Sequence, residues 1–191
     1  MNPFSPALIA FLIVDAIALL IFLLFQLKKE VKRNKIRHFG DRAEEEVAAY
    51  IKENFPSAVL MNNIFLKTAR GITQLDHILL CKWGVFVIET KSHNGKINLH
   101  SKEWVQIYKD KIVRFHSPLL QNETHCKALE TLLRKSSAFR RIPVRGVVVF
   151  TSKKVHFSKR HSQVIRLEEL SRYIKTGSVH FASACIFTLV K

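Results

Sequence analysis

TQLDHILLCKWGVFVIETK, residues Thr73 to Lys91, is the stretch that decides how this chain folds. It reads as two strongly apolar β-strands joined by a tight turn around Lys82 to Gly84. Asp76 lies on the first strand, and Glu89 and Lys91 lie near the end of the second. Acids in an apolar hairpin need an explanation, because an unpaired buried carboxylate is costly. With a loop of two residues (Lys82 and Trp83) or four (Cys81 to Gly84), Asp76 falls opposite Glu89 and Gln74 opposite Lys91. Opposed residues share a face, as do i and i+2 along a strand, so Asp76, Glu89 and Lys91 would converge at the open end of the hairpin. A three-residue loop without a bulge would put the two acids on opposite faces.

Two neighbouring carboxylates repel unless a cation neutralises them, and Mg²⁺ or Mn²⁺ favours such oxygen ligands. Lys91 adds a point charge suited to a phosphate or to a water that must lose a proton. Hydrolysis of a phosphodiester needs this combination. The ordinary reading of an isolated E-x-K is an ion pair ending a strand, worth little. Composition and pairing geometry alone leave that reading ahead.

Working outward, the chain of 191 residues fits one domain with an appended segment, and 48% hydrophobic residues is ample for a core. Thirty-one Lys and Arg against 15 Asp and Glu give a formal charge of +16, which favours polyanionic partners, nucleic acid or anionic headgroups. The three cysteines, Cys81, Cys126 and Cys185, are odd in number and lack metal-ligand spacing. They indicate neither a disulfide framework nor a zinc site, and they fit a reducing compartment. Cys81 is expected simply to pack in its strand.

Residues 1–6 read as a short extracytoplasmic N-terminus. Residues 7–27, ALIAFLIVDAIALLIFLLFQL, are long and apolar enough for a transmembrane helix. Their Leu, Ile, Phe and Val, each worth roughly −0.3 to −0.6 kcal/mol, outweigh the roughly +2.5 to +3.5 kcal/mol of Asp15. There is no basic n-region or small-residue cleavage site of a signal peptide. Asp15 either contacts a partner helix or a second copy, or is tolerated by snorkelling. The basic linker 28–39 places the remainder in the cytoplasm and can lie on anionic lipid. The expectation is a single-pass cell-membrane protein, N-terminus outside.

Asp41 to Phe55 carries a helical stripe, Ala43, Val47, Tyr50 and Ile51, with Glu44 on or beside it and Glu45 and Glu46 solvated. Glu44 by itself reads as an ordinary first-turn acid. Pro56 ends this helix. A strand over AVLMNNIFL and a basic loop, KTARGI, lead into the opening hairpin. After Lys91 come short strands with a turn at Lys109-Asp110. Ser117-Pro118 starts a helix through PLLQNETHCKALETLLRKSSAF, with Leu129, Leu132 and Leu133 on its apolar stripe. Gln121 and His125, four apart, either point into a site or bond each other, and spacing favours the second. VRGVVVFTS reads as a strand buried on both faces. QVIRL is a further strand, EELSRYIK a helix, and VHFASACIFTLVK a last strand or packing helix.

Several of these segments together resemble the nuclease-related domain family, NERD, a bacterial-type branch of the PD-(D/E)xK nuclease superfamily. GDRAE from Gly40 resembles the family's G-x-x-G-E, with Ala43 for the second Gly. TQLDHILL resembles T-Q-I-D-H, and GVFVIETKSHNGKI resembles G-V-x-V-I-E-x-K…G-x-I. Trp104 stands where the family has a Trp, and SPLLQNETH resembles N-P-x-x-Q…H, with Ser117 for Asn. The match is strongest over 40–125, within a domain expected to span 40–191. The two replacements bear on packing and helix capping more than on metal binding.

The resemblance implies a mixed α/β, restriction-endonuclease-like fold, a central sheet flanked by helices. It implies Asp76 and Glu89 as ligands of Mg²⁺ or Mn²⁺ and Lys91 as the catalytic lysine. Glu44 becomes a supporting acid and Gln121 lines the site, with His125 carried over more weakly. Lys67, Arg70 and Lys96 are candidate nucleic-acid contacts. The function expected is a membrane-anchored, Mg²⁺-dependent nuclease acting on nucleic acid, DNA in preference to RNA, at the cytoplasmic face. The alternative is a non-catalytic nucleic-acid-binding module, or a membrane scaffold for a DNA-processing partner.

Overall fold

The computed structural model describes residues 39–68, 71–137, 139–140 and 142–176. The expected N-terminus 1–6 and membrane span 7–27, with Asp15, lie outside them. So do the basic linker up to residue 38, Arg70, and the last segment with Cys185. Among the described residues no helix is long and apolar enough to cross a membrane. The chain divides into two compact units, Met1–Asp41 and Arg42–Lys191. Of the first only residues 39–41 are described, as helix.

In the second unit, residues 42–54 of helix α1 are followed by the strands β1 (Val59–Thr68), β2 (Gly71–Cys81) and β3 (Gly84–Lys91). Next come β4 (Gly95–Asn98), β5 (Glu103–Tyr108) and β6 (Lys111–His116), then helix α2 (Pro118–Leu133). The chain continues with β7 (Val144–Phe150), β8 (Val155–Phe157) and β9 (Val164–Arg166), a short 3₁₀ turn, and α3 (Leu170–Thr176). Among the described residues five strands make one sheet in the order β1-β2-β3-β7-β9, and four make a second in the order β6-β5-β4-β8. Both sheets are mixed, and β3 and β7 run parallel. The expected mixed α/β class holds.

β3 is buried along nearly its whole length, as a Val, Ile and Phe run between two neighbours must be. Its Phe86 and Ile88 face a core with Val47 and Ile51 of α1 and Leu170 and Ile174 of α3. Its Val85 and Val87 face Leu129 of α2. A further cluster joins the two sheets, Ile97 and Trp104 of the second packing with Val148 and Phe150 of β7. α1 buries the predicted stripe Ala43, Val47 and Ile51 and leaves Glu45 and Glu46 exposed.

Some boundaries differ from the sequence reading. Helix α2 stops at Leu133, six residues short of the expected Phe139, and Leu132 is 48% exposed instead of lying on the buried stripe. The strand β8 has no counterpart in the sequence reading, because KVHF carries too little periodicity to stand out. Lys67 belongs to β1 and not to a loop, so the connection between β1 and β2 is only residues 69–70.

Two glycines are demanded by close approach. Gly95, with φ 78°, has no room for a Cβ against the carbonyl of Ile107, so the chain can enter β4 only with glycine there. At Gly146, a Cβ would meet Cys126 Sγ at 2.9 Å and Asn122 Nδ2 at 3.0 Å, the side chains that seat α2 on β7. Gly146→Ala is therefore expected to lower stability by about 1–3 kcal/mol, read as a drop in the denaturant midpoint at unchanged slope.

Candidate functional site

The turn between β2 and β3 holds two residues, Lys82 and Trp83, the loop length that brings Asp76 towards Glu89. The ladder runs from Cys81–Gly84 back to His77–Ile88 and stops there. Beyond it β2 stays with β1 as far as Gly71, while β3 stays with β7 as far as Lys91. The two strands therefore diverge just before Asp76 and Glu89 would meet. Gln74 is accordingly not opposite Lys91, as the extended ladder would have it. It pairs with Phe65, and its Nε2 donates to Asn63 Oδ1 at 2.7 Å.

The split has a local cause. The β1–β2 pairing skips Asn63 and Asp76, and Asn63 adopts φ 54°, a left-handed conformation that asparagine tolerates. Leu75 and Ile78, three residues apart, join the same apolar cluster, whereas regular alternation would send them to opposite faces. Alternation therefore breaks at Asp76. Its carboxylate accepts the Thr90 N–H at 2.8 Å (Oδ2), taking an amide that lies just past the ladder's end.

Glu89, 1% exposed, sits across the split. Lys91 Nζ donates to its Oε1 at 2.5 Å. His125 Nδ1 lies 3.3 Å from its Oε2, an electrostatic contact without good hydrogen-bond alignment. The two halves of the site thus titrate in opposite directions. Burial, then the charge of Glu89 and more weakly Glu44, pushes the Asp76 carboxyl up to about 7, against the Thr90 N–H and Lys91. Burial acts on Glu89 too, but His125 and Lys91 outweigh it and hold Glu89 below the usual carboxylate range. A like-charged pair pushed apart in this way marks the place where a cation would be most favoured.

The ion pair between Glu89 and Lys91 that an isolated E-x-K suggests is therefore real, and it is built into the site. Glu44, half-buried on α1, brings its charge to bear on Asp76, a role its sequence context alone does not disclose. Gln121 is half-buried on α2, one turn before His125. His125 directs Nδ1 at Glu89, in place of the Gln121 bond its spacing favours. Lys67 and Lys96 are exposed, on β1 and β4 respectively.

The implied metal can be tested against these residues. Among the described residues no three His, Cys, Asp or Glu side chains are grouped to cage an ion. Mg²⁺ does not require a cage, being held commonly by one or two carboxylates with waters and substrate phosphate. Asp76 and Glu89, one of them with a buried oxygen that lacks a hydrogen bond, fit such a two-carboxylate site.

Sequence reasoning missed Asn122. It is 2% exposed, and its Nδ2 donates to the carbonyls of Val87 (3.1 Å) and Val147 (3.0 Å). These bonds pin α2 across β3 and β7 and so set His125 against Glu89. The signal was its place on the buried stripe Pro118, Asn122, His125, Leu129, a helical spacing that includes polar members. His77 and His93 were missed as well. Burial lowers both to about 4; the charge of Glu89 opposes the shift at His77, and Lys91 adds to it at His93. Both are neutral packing residues, His77 with Nδ1 on Asn62 (2.9 Å) and His93 stacked on Phe115 (4.3 Å between ring centroids). Ser117 precedes α2 without a side-chain cap, its Oγ buried and unbonded, where the family's asparagine would sit.

The family model of the nuclease-related domain, NERD, matches residues 39–151. An uncharacterized protein of Bacillus anthracis is 29% identical over 166 residues, 83% of this chain and 76% of that protein. No solved structure matches the chain.

Proposed function

This chain belongs to the NERD, nuclease-related domain, family, and from that membership and the split between β2 and β3 we propose a Mg²⁺- or Mn²⁺-dependent nuclease of the PD-(D/E)xK type, acting on DNA in preference to RNA. The observation that carries it is the convergence of Asp76, Glu89 and Lys91 where the strands diverge, with Asp76 pushed up to about 7 by burial and its acidic neighbours. Asp76 and Glu89 would hold the metal, which supplies a Lewis acid for the phosphate and a more acidic water. Lys91 keeps Glu89 ionised at Oε1 and presents Nζ to the charge that develops on the phosphate. His125 keeps the other oxygen of Glu89 in place. Glu44 supports Asp76 from α1, and Gln121 lines the site. The hydrophobic run 7–27 and basic run 28–39 lead us to propose a single-pass anchor, with this domain on the cytoplasmic side and Asp15 available to a partner helix.

The test is cleavage of labelled single- and double-stranded DNA and RNA by the full chain in detergent, with Mg²⁺, with Mn²⁺ and with EDTA. Metal-dependent cleavage that disappears in Asp76→Ala and Lys91→Ala is the expected result. A folded chain that cleaves none of these substrates overturns the nuclease reading. Salt-sensitive binding that ignores Asp76→Asn would then favour the non-catalytic module. Cleavage indifferent to Asp76 would overturn the site.

A further inference from the structure

Past the end of the β2–β3 ladder, β1 and β2 continue together as a two-stranded arm out to Thr68 and Gly71. One face of the arm carries Ile64, Leu66 and Leu75, which join the apolar cluster of Leu129 and Leu133 on α2. On the other face Phe65 pairs with Gln74 and Lys67 with Ile72, so these four side chains form one patch. Phe65 is 65% exposed and Ile72 77%. Single exposed apolar residues are ordinary. An aromatic and a branched aliphatic on diagonal corners of this patch, with Lys67 opposite Ile72 and next to Phe65 on the same face of β1, constitute a surface. It lies on the strand that carries Asp76: Phe65 is opposite Gln74, two residues or about 7 Å along β2 from Asp76, and Ile72 is about 13 Å along it.

We propose that this face of the arm binds unpaired nucleotides of the strand that enters the site. A base stacks on Phe65, Ile72 packs on its neighbour, and Lys67 meets a backbone phosphate. The substrate of the nuclease is then single-stranded or locally unpaired, because a base inside a duplex has no free face to offer. Aromatic stacking with cationic contact to the backbone is the general means of holding single strands without reading sequence. The formal +16 supplies the complementary charge. The proposal deepens the nuclease reading and rests on it for the direction of the strand, while the binding itself can be measured without any cleavage.

Binding is measured by fluorescence anisotropy on the full chain in detergent with EDTA, using a labelled oligothymidylate and a blunt DNA duplex. The single strand is expected to bind more tightly, and Phe65→Ala to weaken it by roughly 5- to 150-fold. Lys67→Ala should weaken it less and flatten the salt dependence. Phe65 is exposed, so its replacement leaves folding intact. In Phe65→Trp, the added fluorescence should be quenched by the oligothymidylate. The proposal is overturned if Phe65→Ala leaves single-strand binding unchanged. It is also overturned if, in vesicles, brominated phospholipid quenches Trp emission at this position and the oligonucleotide does not, since the arm would then dock on the bilayer. Loss of binding in Phe65→Ala by a chain that never cleaves DNA upholds the arm and overturns only the nuclease.

Discussion

Asp76→Asn is expected to cut metal-dependent cleavage by about 10²–10³-fold or more and, in the same molecule, to raise stability at pH 8. The carboxyl that would bind metal is a burden on the metal-free fold. Its pKa is pushed from 3.8 to about 7, first by burial and then by Glu89. The folded state therefore holds a proton that the unfolded chain releases between about pH 4 and 7. With more protons bound in the folded state, stability falls as pH rises through that window, and the cost is complete above about 7. A shift of that size corresponds to about 2–4 kcal/mol once screening at a partly open site is allowed for. Asparagine keeps an oxygen for the Thr90 N–H and carries no charge. Thermal unfolding in EDTA should show the variant's advantage small at pH 4, growing as pH rises through 5 and 6, and complete by pH 8. A variant less stable at pH 8 would mean that Asp76 is ionised and well paired in the fold.

Lys91→Met is the second large effect. Methionine preserves the aliphatic stem but leaves Glu89, 1% exposed, with His125 alone. Stranding one partner of a buried pair typically costs several kcal/mol, so a loss of about 2–4 kcal/mol at pH 7 is expected together with loss of cleavage. Glu89 is held below the usual range in the parent. Its contribution is thus present above its unfolded pKa and lost as pH falls through the folded one. Without Lys91 that pKa rises, so the destabilisation should shrink on acidification. Adding Glu89→Gln to Lys91→Met should recover most of the lost stability while leaving the chain inactive. Denaturant midpoints of the four proteins of this cycle provide the measurement, and additive losses would show that the pair is not coupled.

The outcome at Thr73–Lys91 shows how far a strand pattern reaches. The apolar runs on either side of Lys82-Trp83 dictate a hairpin, because period and composition are local properties, and the two-residue loop settles its register. The same local logic located α1, the Lys109–Asp110 turn and the buried strand β7. It failed at the end of α2, where no residue between Leu133 and Phe139 announces a stop. It failed also at Asn122, whose importance lies in carbonyls 35 and 25 residues away.

From the sequence alone, then, came the strand order of the hairpin, the acids and lysine at its open end, and the family they belong to. Only the tertiary structure decided that the strands diverge before Asp76 and Glu89 can pair. Strand alternation is interrupted by a left-handed Asn63 on the neighbouring strand, and β3 is kept with β7 while β2 leaves with β1. The charge on each acid was decided there too. Asp76 and Glu89 are both carboxylates in apolar strands, and burial acts against both. What separates them is Lys91 and His125 beside one, and Glu89 and Glu44 beside the other; of these, His125 from α2 and Glu44 from α1 are neighbours that a linear reading of the hairpin does not contain.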